Sequence, residues 1–500
     1  MSDSINILQM PQESLSVRAV KSGFWVFLLR VIQLLFQAVK LIILANLLDP
    51  YNFGMMGIAL LTMAILETFS TTGFHAALIQ KKEDIKSYLD IAWTVLVLRG
   101  FILFALIYLI APYVSYLFNE PKATLIIQIV GISVIFRAFT NIGVIYFRKD
   151  LQFGKEFFYQ LSSTLISFIV VISVALLLRN VWALVFGLLA GEFVRVIVSY
   201  LIHPYKPRLG LSFEKAKELF GFGKWVLGSS VLLFFLIHGD DVFVGKFLGT
   251  TMLGFYQVAY RISNMSTTEI THIISQVTFP TYSKLQDNIP KLREAYSRVL
   301  QVTVFLSFPI AGLIFVLAPD FTEIFLGEKW MPIVPSMQAL AFWGALRSIG
   351  SATGVVFTSI GKPKILTKIQ LGHLILLIIL IYPLSKHWGI FGTSLAVVFA
   401  SLIPIVCTFY IMLKLFQSTI QGFYKILILP FINIVIMISV IIISKTYWFE
   451  TVRIFHFFLF VLFGLISYLS VTCLFDKFFC YRMQIIIKNS LLELVHREDV

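Results

Sequence analysis

The chain has 500 residues and a net charge of +14; 58% of its residues are hydrophobic, only 13% are charged, and the mean hydropathy is +0.89. Soluble chains carry about one-quarter charged residues, so this composition excludes a water-soluble globular protein and indicates a polytopic membrane protein. The three cysteines have no spacing typical of a disulfide framework or a zinc site.

Apolar runs of about 20 residues recur along the whole chain, and each is long enough to cross a bilayer. They follow a polar segment, 1–21, that lacks the apolar core and cleavage pattern of a signal peptide. The runs predict fourteen spans at 22–46, 53–79, 89–111, 123–146, 157–178, 181–202, 221–244, 253–279, 297–318, 333–359, 365–385, 389–413, 426–444 and 454–475.

The basic residues of the loops predict the orientation of these spans. With the N-terminus in the cytoplasm, the cytoplasmic segments hold 26 Lys and Arg residues and the opposite segments hold seven. This asymmetry is the positive-inside bias, so both termini are expected in the cytoplasm. It also accounts for the net charge without a nucleic-acid partner.

An internal repeat relates the two halves of the chain. The block Leu44–Ile65 aligns with Val244–Met265 after a shift of 200 residues. Further matches follow in the same order: Ala111-Pro112 with Ala318-Pro319, Gln128 with Gln338, Arg137 with Arg347, and Asn141 with Ser351. Each copy holds six spans, an even number, so the repeat is parallel, as in transporters whose halves rock about a midplane site.

The predicted architecture is therefore all-α, with about 14 transmembrane helices in two six-helix lobes and two C-terminal helices. The lobes are expected at 22–202 and 221–413. Within the linker 203–220, the residues from Phe213 on have the pattern of a basic amphipathic helix on the inner leaflet, although a plain connecting helix explains them equally well. The last two spans occupy 414–475, and 476–500 is a cytoplasmic tail.

Polar residues inside the spans indicate where a cargo binds. Away from their cytoplasmic ends, the spans hold seven bases and five acids. In the first span the four polar residues Arg30, Gln33, Gln37 and Lys40 fall on an arc of about 80° at about 100° per residue. Buried charge is costly, which favours a water-filled cavity; hydrogen bonding between helices is the alternative.

An excess of bases in the spans favours an anionic cargo, because arginine matches phosphate with two parallel hydrogen bonds. The candidate anion-binding residues are Arg30, Lys40, Arg99, Arg137, Arg261 and Arg347. The candidate polar lining for sugar consists of Gln33, Gln37, Asn141, Tyr256, Tyr260, Asn264 and Ser351. Interfacial tyrosines and close helix packing are the competing explanation for the second set.

Carboxylates in the spans are candidates for coupling to a proton or Na⁺ gradient, namely Glu67, Asp240, Asp241 and Glu269. Ion pairing of the two aspartates with Lys246 or Arg261 is at least as good an explanation. Glu192 and Arg195, three residues apart, are expected to pair. No catalytic motif is present, and Glu269-x-x-His272 lacks the further ligands of a metal site. We therefore expect no enzyme, metal or cofactor.

Three blocks carry a family resemblance: LANLLDPYNFG at 44–54, GDDVFVGKFLGTTMLGFYQVAYRISNM at 239–265, and VTFPTYSKLQDNIPKLREAYSRVL at 277–300. They resemble the polysaccharide-transporter (Wzx-type flippase) branch of the multidrug/oligosaccharidyl-lipid/polysaccharide exporter superfamily, and the resemblance extends from residue 21 to about 416. It implies a two-lobed, V-shaped twelve-helix fold with a central cavity and two extra helices.

The resemblance also implies an activity: flipping of an undecaprenyl-pyrophosphate-linked oligosaccharide from the cytoplasmic to the periplasmic leaflet of a bacterial inner membrane. The implied partners are this lipid-linked oligosaccharide and membrane lipids, with a polysaccharide polymerase and co-polymerase as further candidates, and the transporter is expected to be a monomer. Alternatives are a multidrug antiporter of the same superfamily, a membrane glycosyltransferase or polymerase, and a channel. The excess of bases, the short outer loops and the repeat argue against these in turn.

Overall fold

The computed structural model describes residues 15–70, 86–150, 152–210, 212, 231–417, 421–448 and 453–479. Within these ranges, the side chains of 15–23, 86–87, 265–277, 280, 421–424, 448 and 479 lie outside the description. The predicted amphipathic helix falls at 213–220, outside the described residues, as do most of the N-terminal segment and of the tail. The side chain of Glu269 is likewise outside.

Every regular element in the described part of the chain is helical, which confirms the predicted all-α class. We number the helices α1 Leu15–Leu47, α2 Pro50–Phe69, α3 Lys86–Leu117, α4 Ala123–Ala138, α5 Ile145–Lys149, α6 Phe153–Leu178, α7 Trp182–Ile202, α8 (231–247), α9 Thr250–Leu285, α10 Ile289–Phe321, α11 Val334–Ser359, α12 Pro363–Leu415, α13 Gln421–Trp448 and α14 Ile454–Phe479. A 3₁₀ turn, Ile142–Val144, joins α4 to α5.

Ten helices in the described residues are long and apolar enough to span a membrane, or eleven if α4 and the bent continuation Ile142–Lys149 are one span. The sequence predicted fourteen spans, and three further helices account for the difference from eleven. The described part of α8 is short, and α9 is too polar. The third, α12, combines two predicted spans across a break at Trp388 and Gly389, where Gly389 has φ +56°, a conformation that favours glycine.

The first compact unit, Met1–Val231, is built around the antiparallel pair α6 and α7. The turn between them begins at Arg179, which adopts the left-handed conformation with φ +48°. Small residues let the two helices approach closely, since a Cβ added to Gly187 would lie 2.6 Å from the Cβ of Val171. α1 packs on α6, and α4 packs on α2, α3 and α7.

The second compact unit, Leu232–Val500, is organised around α11, which packs against α9, α10 and α12. Its apolar core includes the fully buried Tyr296, Leu300 and Phe357. α13 and α14 pack on α10. An ion pair between the half-buried Lys445 of α13 and the buried Asp320 of α10 fastens α13 in place.

One pair of residues matched by the predicted repeat makes equivalent contacts in the two units. The side-chain amide of Gln128 in α4 donates to the carbonyl of Tyr108 in α3 at 3.3 Å. The amide of Gln338 in α11 donates to the carbonyl of Phe315 in α10 at 3.0 Å. Each glutamine therefore ties its helix to the preceding long helix in the same way.

Candidate functional site

A cavity of about 520 Å³ lies within the first unit, where α4, the 3₁₀ turn and α5 meet α6 and α7. Four charged side chains line it, namely Arg137, Arg148, Glu156 and Arg195. We call this cavity the unit-1 pocket. The predicted site residues Arg137 and Asn141 both lie in its wall, since α4 ends at Ala138 and the chain then turns sharply.

Arg137 is held by groups from three helices. Its Nη1 lies 2.9 Å from Oε1 of Glu67 in α2, and its Nη2 donates to Sδ of Met63 at 3.0 Å and to the hydroxyl of Ser133 at 3.4 Å. Its Nε lies 3.8 Å from Glu192 Oε1 and has no hydrogen-bond partner among the described residues. A residue proposed for anion binding is thus already paired with a carboxylate.

The other two pocket arginines are paired as well. Arg195 Nη1 lies 3.1 Å from Oε2 of Glu192, which confirms the predicted pair three residues apart. Arg148 contacts Oε1 of Glu156 at 2.6 Å through both Nε and Nη2. With Glu67 and Glu192, the pocket region therefore holds as many carboxylates as lining guanidinium groups.

A chain of hydrogen bonds connects the pocket to α1. Gln160 Nε2 donates to Glu156 Oε1 at 2.7 Å, and Gln33 Nε2 donates to Gln160 Oε1 at 3.3 Å. The predicted lining residue Gln33 thus reaches the pocket through Gln160. Sequence reasoning missed Arg148, Glu156 and Gln160 as site residues; the spacing of Glu156 and Gln160, one helical turn apart, was the available signal.

The residues that follow α7, 203–210, cross the polar end of this unit, and we call them the strap. The carboxylate of Asp90 in α3 accepts hydrogen bonds from the hydroxyl of Tyr205 and from the backbone N–H of Arg208, the latter at 2.7 Å. Burial, followed by the hydrogen bond and charge of Asp90, raises the pKa of Tyr205 well above its ordinary value. Tyr205 therefore acts as a neutral donor that holds the strap to α3.

Asn141 also fixes the strap. Its side chain accepts from the N–H of Gly143 at 2.9 Å and donates to the carbonyl of Tyr205 at 2.6 Å, while its backbone N–H donates to Ser199 Oγ at 3.0 Å. The residue is fully buried. Asn141 lies in the pocket wall, but both functional groups of its amide are committed to the backbone.

His203 completes this packing. Its ring stacks on Tyr146 with an interplanar angle of 5°, and its Nδ1 accepts from the N–H of Tyr205 at 3.2 Å. A Cβ on Gly143 would lie only 2.4 Å from Nδ1, so a glycine is needed there. Burial and the nearby Lys155 lower the pKa of His203 below its ordinary value, which favours the neutral ring.

The remaining candidates in unit 1 lie on α1 and α3. Arg30 and Gln37 are exposed on α1, and Lys40 is half-buried. Arg99 donates to the carbonyl and hydroxyl of Ser70, both at 2.8 Å, and to the carbonyl of Glu67 at 3.2 Å. Arg99 thus binds the last carbonyl groups of α2, as a cation near a helix C-terminus does.

In unit 2 the two aspartates of α8 have separate partners. Asp240 is buried and accepts from the hydroxyl of Tyr256 in α9 at 2.6 Å and from the backbone N–H of Asp241 at 3.0 Å. Oδ2 of Asp241 lies 3.6 Å from Nδ1 of His238. The coupling candidate Asp240 is therefore joined to the predicted lining residue Tyr256, whereas Asp241 lies beside His238.

Arg347 in α11 lies over the Trp343 ring, 5.2 Å from its centroid, and within hydrogen-bonding reach of the Tyr260 hydroxyl in α9. Arg261, next to Tyr260, is exposed. Within the described residues neither guanidinium lies within 4.0 Å of a carboxylate, although Asp241 acts on Arg261 from farther away. These two bases therefore differ from the paired arginines of the unit-1 pocket.

Two predicted lining residues of unit 2 bond within their own helices. Asn264 Nδ2 donates to the carbonyl of Tyr260 at 3.1 Å, and Ser351 Oγ donates to the carbonyl of Ser348 at 2.8 Å. Asn264 Oδ1 is buried without a described partner. No group of three or more potential metal ligands occurs among the residues that the structure covers.

Comparisons with known proteins agree with the sequence resemblance. A family model described as "Polysaccharide biosynthesis protein" matches residues 43–335. The "Lipopolysaccharide biosynthesis protein WzxC" of Escherichia coli (strain K12) is 24% identical over 425 residues, covering 84% of this chain and 86% of the relative.

Solved structures show the same fold. "Lipid II flippase MurJ, inward closed conformation" matches with a TM-score of 0.72 at 18% identity, covering 92% of this chain and 99% of that one. An inward-facing multidrug resistance MATE family transporter of the MOP superfamily matches with a TM-score of 0.59 at 15% identity, covering 78% and 98%. Since the family model matches more than half of the sequence, the chain belongs to the polysaccharide biosynthesis protein family, in its Wzx-like flippase branch, and is structurally related to MurJ and the MATE transporters.

Proposed function

We propose that the chain flips an undecaprenyl-pyrophosphate-linked oligosaccharide from the cytoplasmic to the periplasmic leaflet of a bacterial inner membrane. It does so by alternating access of two six-helix lobes in a parallel repeat, with two further C-terminal helices and fourteen spans in all. The family and the fold support a transporter of polysaccharide precursors. The named relative takes part in lipopolysaccharide biosynthesis.

The pair Arg261 and Arg347 carries this proposal. Both lie in helices predicted to span the membrane, and neither has a carboxylate within 4.0 Å in the described part of the chain. A cation at the centre of a membrane helix costs about 2.5–3.5 kcal/mol, so it faces water or a partner rather than lipid. A pyrophosphate supplies that partner and offers each guanidinium a two-point contact.

The surrounding residues suit the rest of the cargo. The Trp343 ring holds Arg347 in place, and Tyr260, whose ring centroid lies 5.7 Å from that of Trp343, presents a hydroxyl beside the guanidinium. Aromatic rings and hydroxyl groups provide stacking and hydrogen bonding for a sugar next to the phosphate.

The carboxylates of α8 are the coupling candidates within this proposal. Asp240 accepts a hydrogen bond from Tyr256 of α9, and the neighbouring Asp241 lies 3.6 Å from His238 of α8, so uptake of a proton or a cation there changes contacts between α8 and α9. Glu67 forms an ion pair with Arg137 and therefore contributes less than these aspartates to ion coupling in this proposal.

Reconstitution tests the proposal directly. Purified protein in liposomes is given a fluorescent undecaprenyl-pyrophosphate-linked oligosaccharide, and a membrane-impermeant glycosidase measures which leaflet holds the sugar. Losing a charged hydrogen bond worth about 1.5–3 kcal/mol slows flipping by about 10–150-fold. We expect that loss for Arg347→Ala, a smaller one for Arg347→Lys, and none for Arg298→Ala, whose exposed guanidinium pairs with Glu294 at 2.6 Å. Normal flipping by both Arg261→Ala and Arg347→Ala contradicts the proposal.

A multidrug antiporter is the second candidate, because the fold matches a multidrug transporter and unit 2 holds the buried Asp240. The same liposomes, loaded with ethidium under a proton or Na⁺ gradient, distinguish the two. Gradient-driven ethidium transport without movement of the lipid-linked sugar favours the antiporter.

A further inference from the structure

We propose that the unit-1 pocket binds an uncharged sugar residue through Glu156 and does not bind the phosphate. This inference rests on the proposed function in one respect: the sugar belongs to the transported oligosaccharide. It assigns the pocket, whose Arg137 was predicted to bind an anion, to hydroxyl recognition.

Charge balance excludes the pocket as a phosphate site. Each lining arginine lies within 4.0 Å of a glutamate: Arg137 with Glu67, Arg195 with Glu192, and Arg148 with Glu156. An anion entering the pocket would meet three negative groups as well as three positive ones, or would have to displace a carboxylate. A neutral ligand enters without either cost.

Unused hydrogen-bonding atoms indicate what the ligand must offer. Glu156 Oε1 accepts from Arg148 and Gln160, but its Oε2 is buried and has no hydrogen-bond partner among the described residues. The Nε–H of Arg137, which lines the same pocket, also lacks one among the described residues. A sugar hydroxyl donates and accepts at the same atom, so a polyhydroxylated ring can satisfy a carboxylate oxygen and a guanidinium together.

The arginine side chain that lies against Glu156 is largely exposed to solvent. The side chain of Glu156 is 9% exposed, whereas that of Arg148, which lies against it, is 58% exposed. Arg148 contacts Oε1 of Glu156, and in this proposal it swings into solvent when the sugar approaches Oε2. Gln160 then remains on Oε1 and holds the carboxylate in place.

Size, lining and position agree with a sugar. A volume of about 520 Å³ lies within the range of small-molecule sites. Tyr159 adds an aromatic surface to the wall. Arg148 in the wall belongs to the predicted cytoplasmic side, the side from which the cargo is taken up.

Binding to protein in lipid nanodiscs provides the first test. The probes are the free repeat-unit oligosaccharide, released by mild acid from the lipid-linked form, and inorganic pyrophosphate, each titrated by calorimetry. We expect Glu156→Gln to weaken oligosaccharide binding at least tenfold. The control is Glu294→Gln, in which an exposed glutamate also pairs with an arginine at 2.6 Å, and its affinity stays unchanged.

A second measurement does not depend on the stability of the Glu156 variant. After replacement of Cys407, Cys473 and Cys480 by Ser, Thr140→Cys places a thiol on the pocket wall. The oligosaccharide should slow maleimide labelling of this thiol at least fivefold. The exposed control Gln286→Cys should be labelled at the same rate with or without the sugar.

The outcomes separate the pocket from the proposed function. Three results overturn the inference: protection of the thiol by pyrophosphate instead of the oligosaccharide, unchanged oligosaccharide binding by folded Glu156→Gln, and no binding of either probe. If one of these results is obtained while the wild type flips the lipid-linked sugar, only the assignment of the pocket to sugar fails. If the sugar binds and protects but no flipping occurs, the flippase proposal fails and the pocket stands.

Discussion

Replacing Asn141 by Ala separates a structural role from a substrate-binding role at one pocket residue. The substitution removes the hydrogen bonds to the N–H of Gly143 and to the carbonyl of Tyr205. It leaves the N–H of Gly143 in a buried environment and the carbonyl of the half-buried Tyr205 without this donor. The sequence pattern predicted a sugar contact here, whereas the contacts indicate that the side chain holds the strap.

The expected loss follows from these two bonds. A neutral hydrogen bond contributes about 0.5–1.5 kcal/mol, and a stranded buried group adds about 1–3 kcal/mol. Two such bonds and one stranded buried group therefore give an expected loss of about 2–6 kcal/mol. Unit 1 covers Met1–Val231. For a domain of about this length, each kcal/mol lowers the melting temperature by about 2–4 °C, so the transition should fall by at least about 4 °C.

The assay heats purified protein to a series of temperatures and uses size-exclusion chromatography to measure the fraction that remains folded at each one. Asn46→Ala is the control, because Asn46 is exposed in α1 of the same unit and its amide donates to a carbonyl of its own helix, that of Ile42, at 2.9 Å. If Asn141→Ala melts no lower than Asn46→Ala and loses only transport, the structural role is refuted.

Three further predictions concern packing, pH and an ion pair. Gly143→Ala should cost about 1–3 kcal/mol in thermal unfolding because the new Cβ meets the His203 ring, whereas Gly350→Ala, with open space around it, should not destabilise α11. The pKa of His203 lies below its ordinary 6.5 in the fold, so the contribution of its neutral ring to stability is complete above pH 6.5 and is lost as the pH falls. The melting temperature of the wild type should therefore drop more between about pH 7.5 and 5.5 than that of His203→Gln. Equal drops in the two proteins contradict this prediction. Lys445→Ala should cost about 3–5 kcal/mol by leaving the charge of Asp320 buried, and adding Asp320→Asn should restore part of it, as a double-mutant cycle would show.

The spacing of residues in the sequence predicted contacts within a single helix. The Glu192–Arg195 pair is visible because residues three apart share a helix face. The pairing of Arg137 with Glu67 is not visible, because the two residues are 70 positions apart and meet only when α4 packs on α2. An arginine counted as free charge in the sequence is therefore neutralised in the fold.

The helix boundaries show the same limit. Apolar runs located the helices well, and the sequence placed a boundary between 385 and 389, where the structure has the break at Trp388 and Gly389. Hydropathy could not show that the two segments continue as α12, or that the residues after α7 form a strap instead of turning directly into solvent. The strap depends on Asp90 and Tyr205, 115 residues apart, and on Asn141.

The attachment of the last two helices has a practical consequence. Lys445 bonds to Asp320, and Asn433 of α13 donates to the carbonyl of Tyr468 and to Thr472 of α14, so α10, α13 and α14 are joined by polar contacts in apolar surroundings. A fluorophore at the exposed Tyr447 should consequently follow unit 2 as a body during turnover, without touching the cargo.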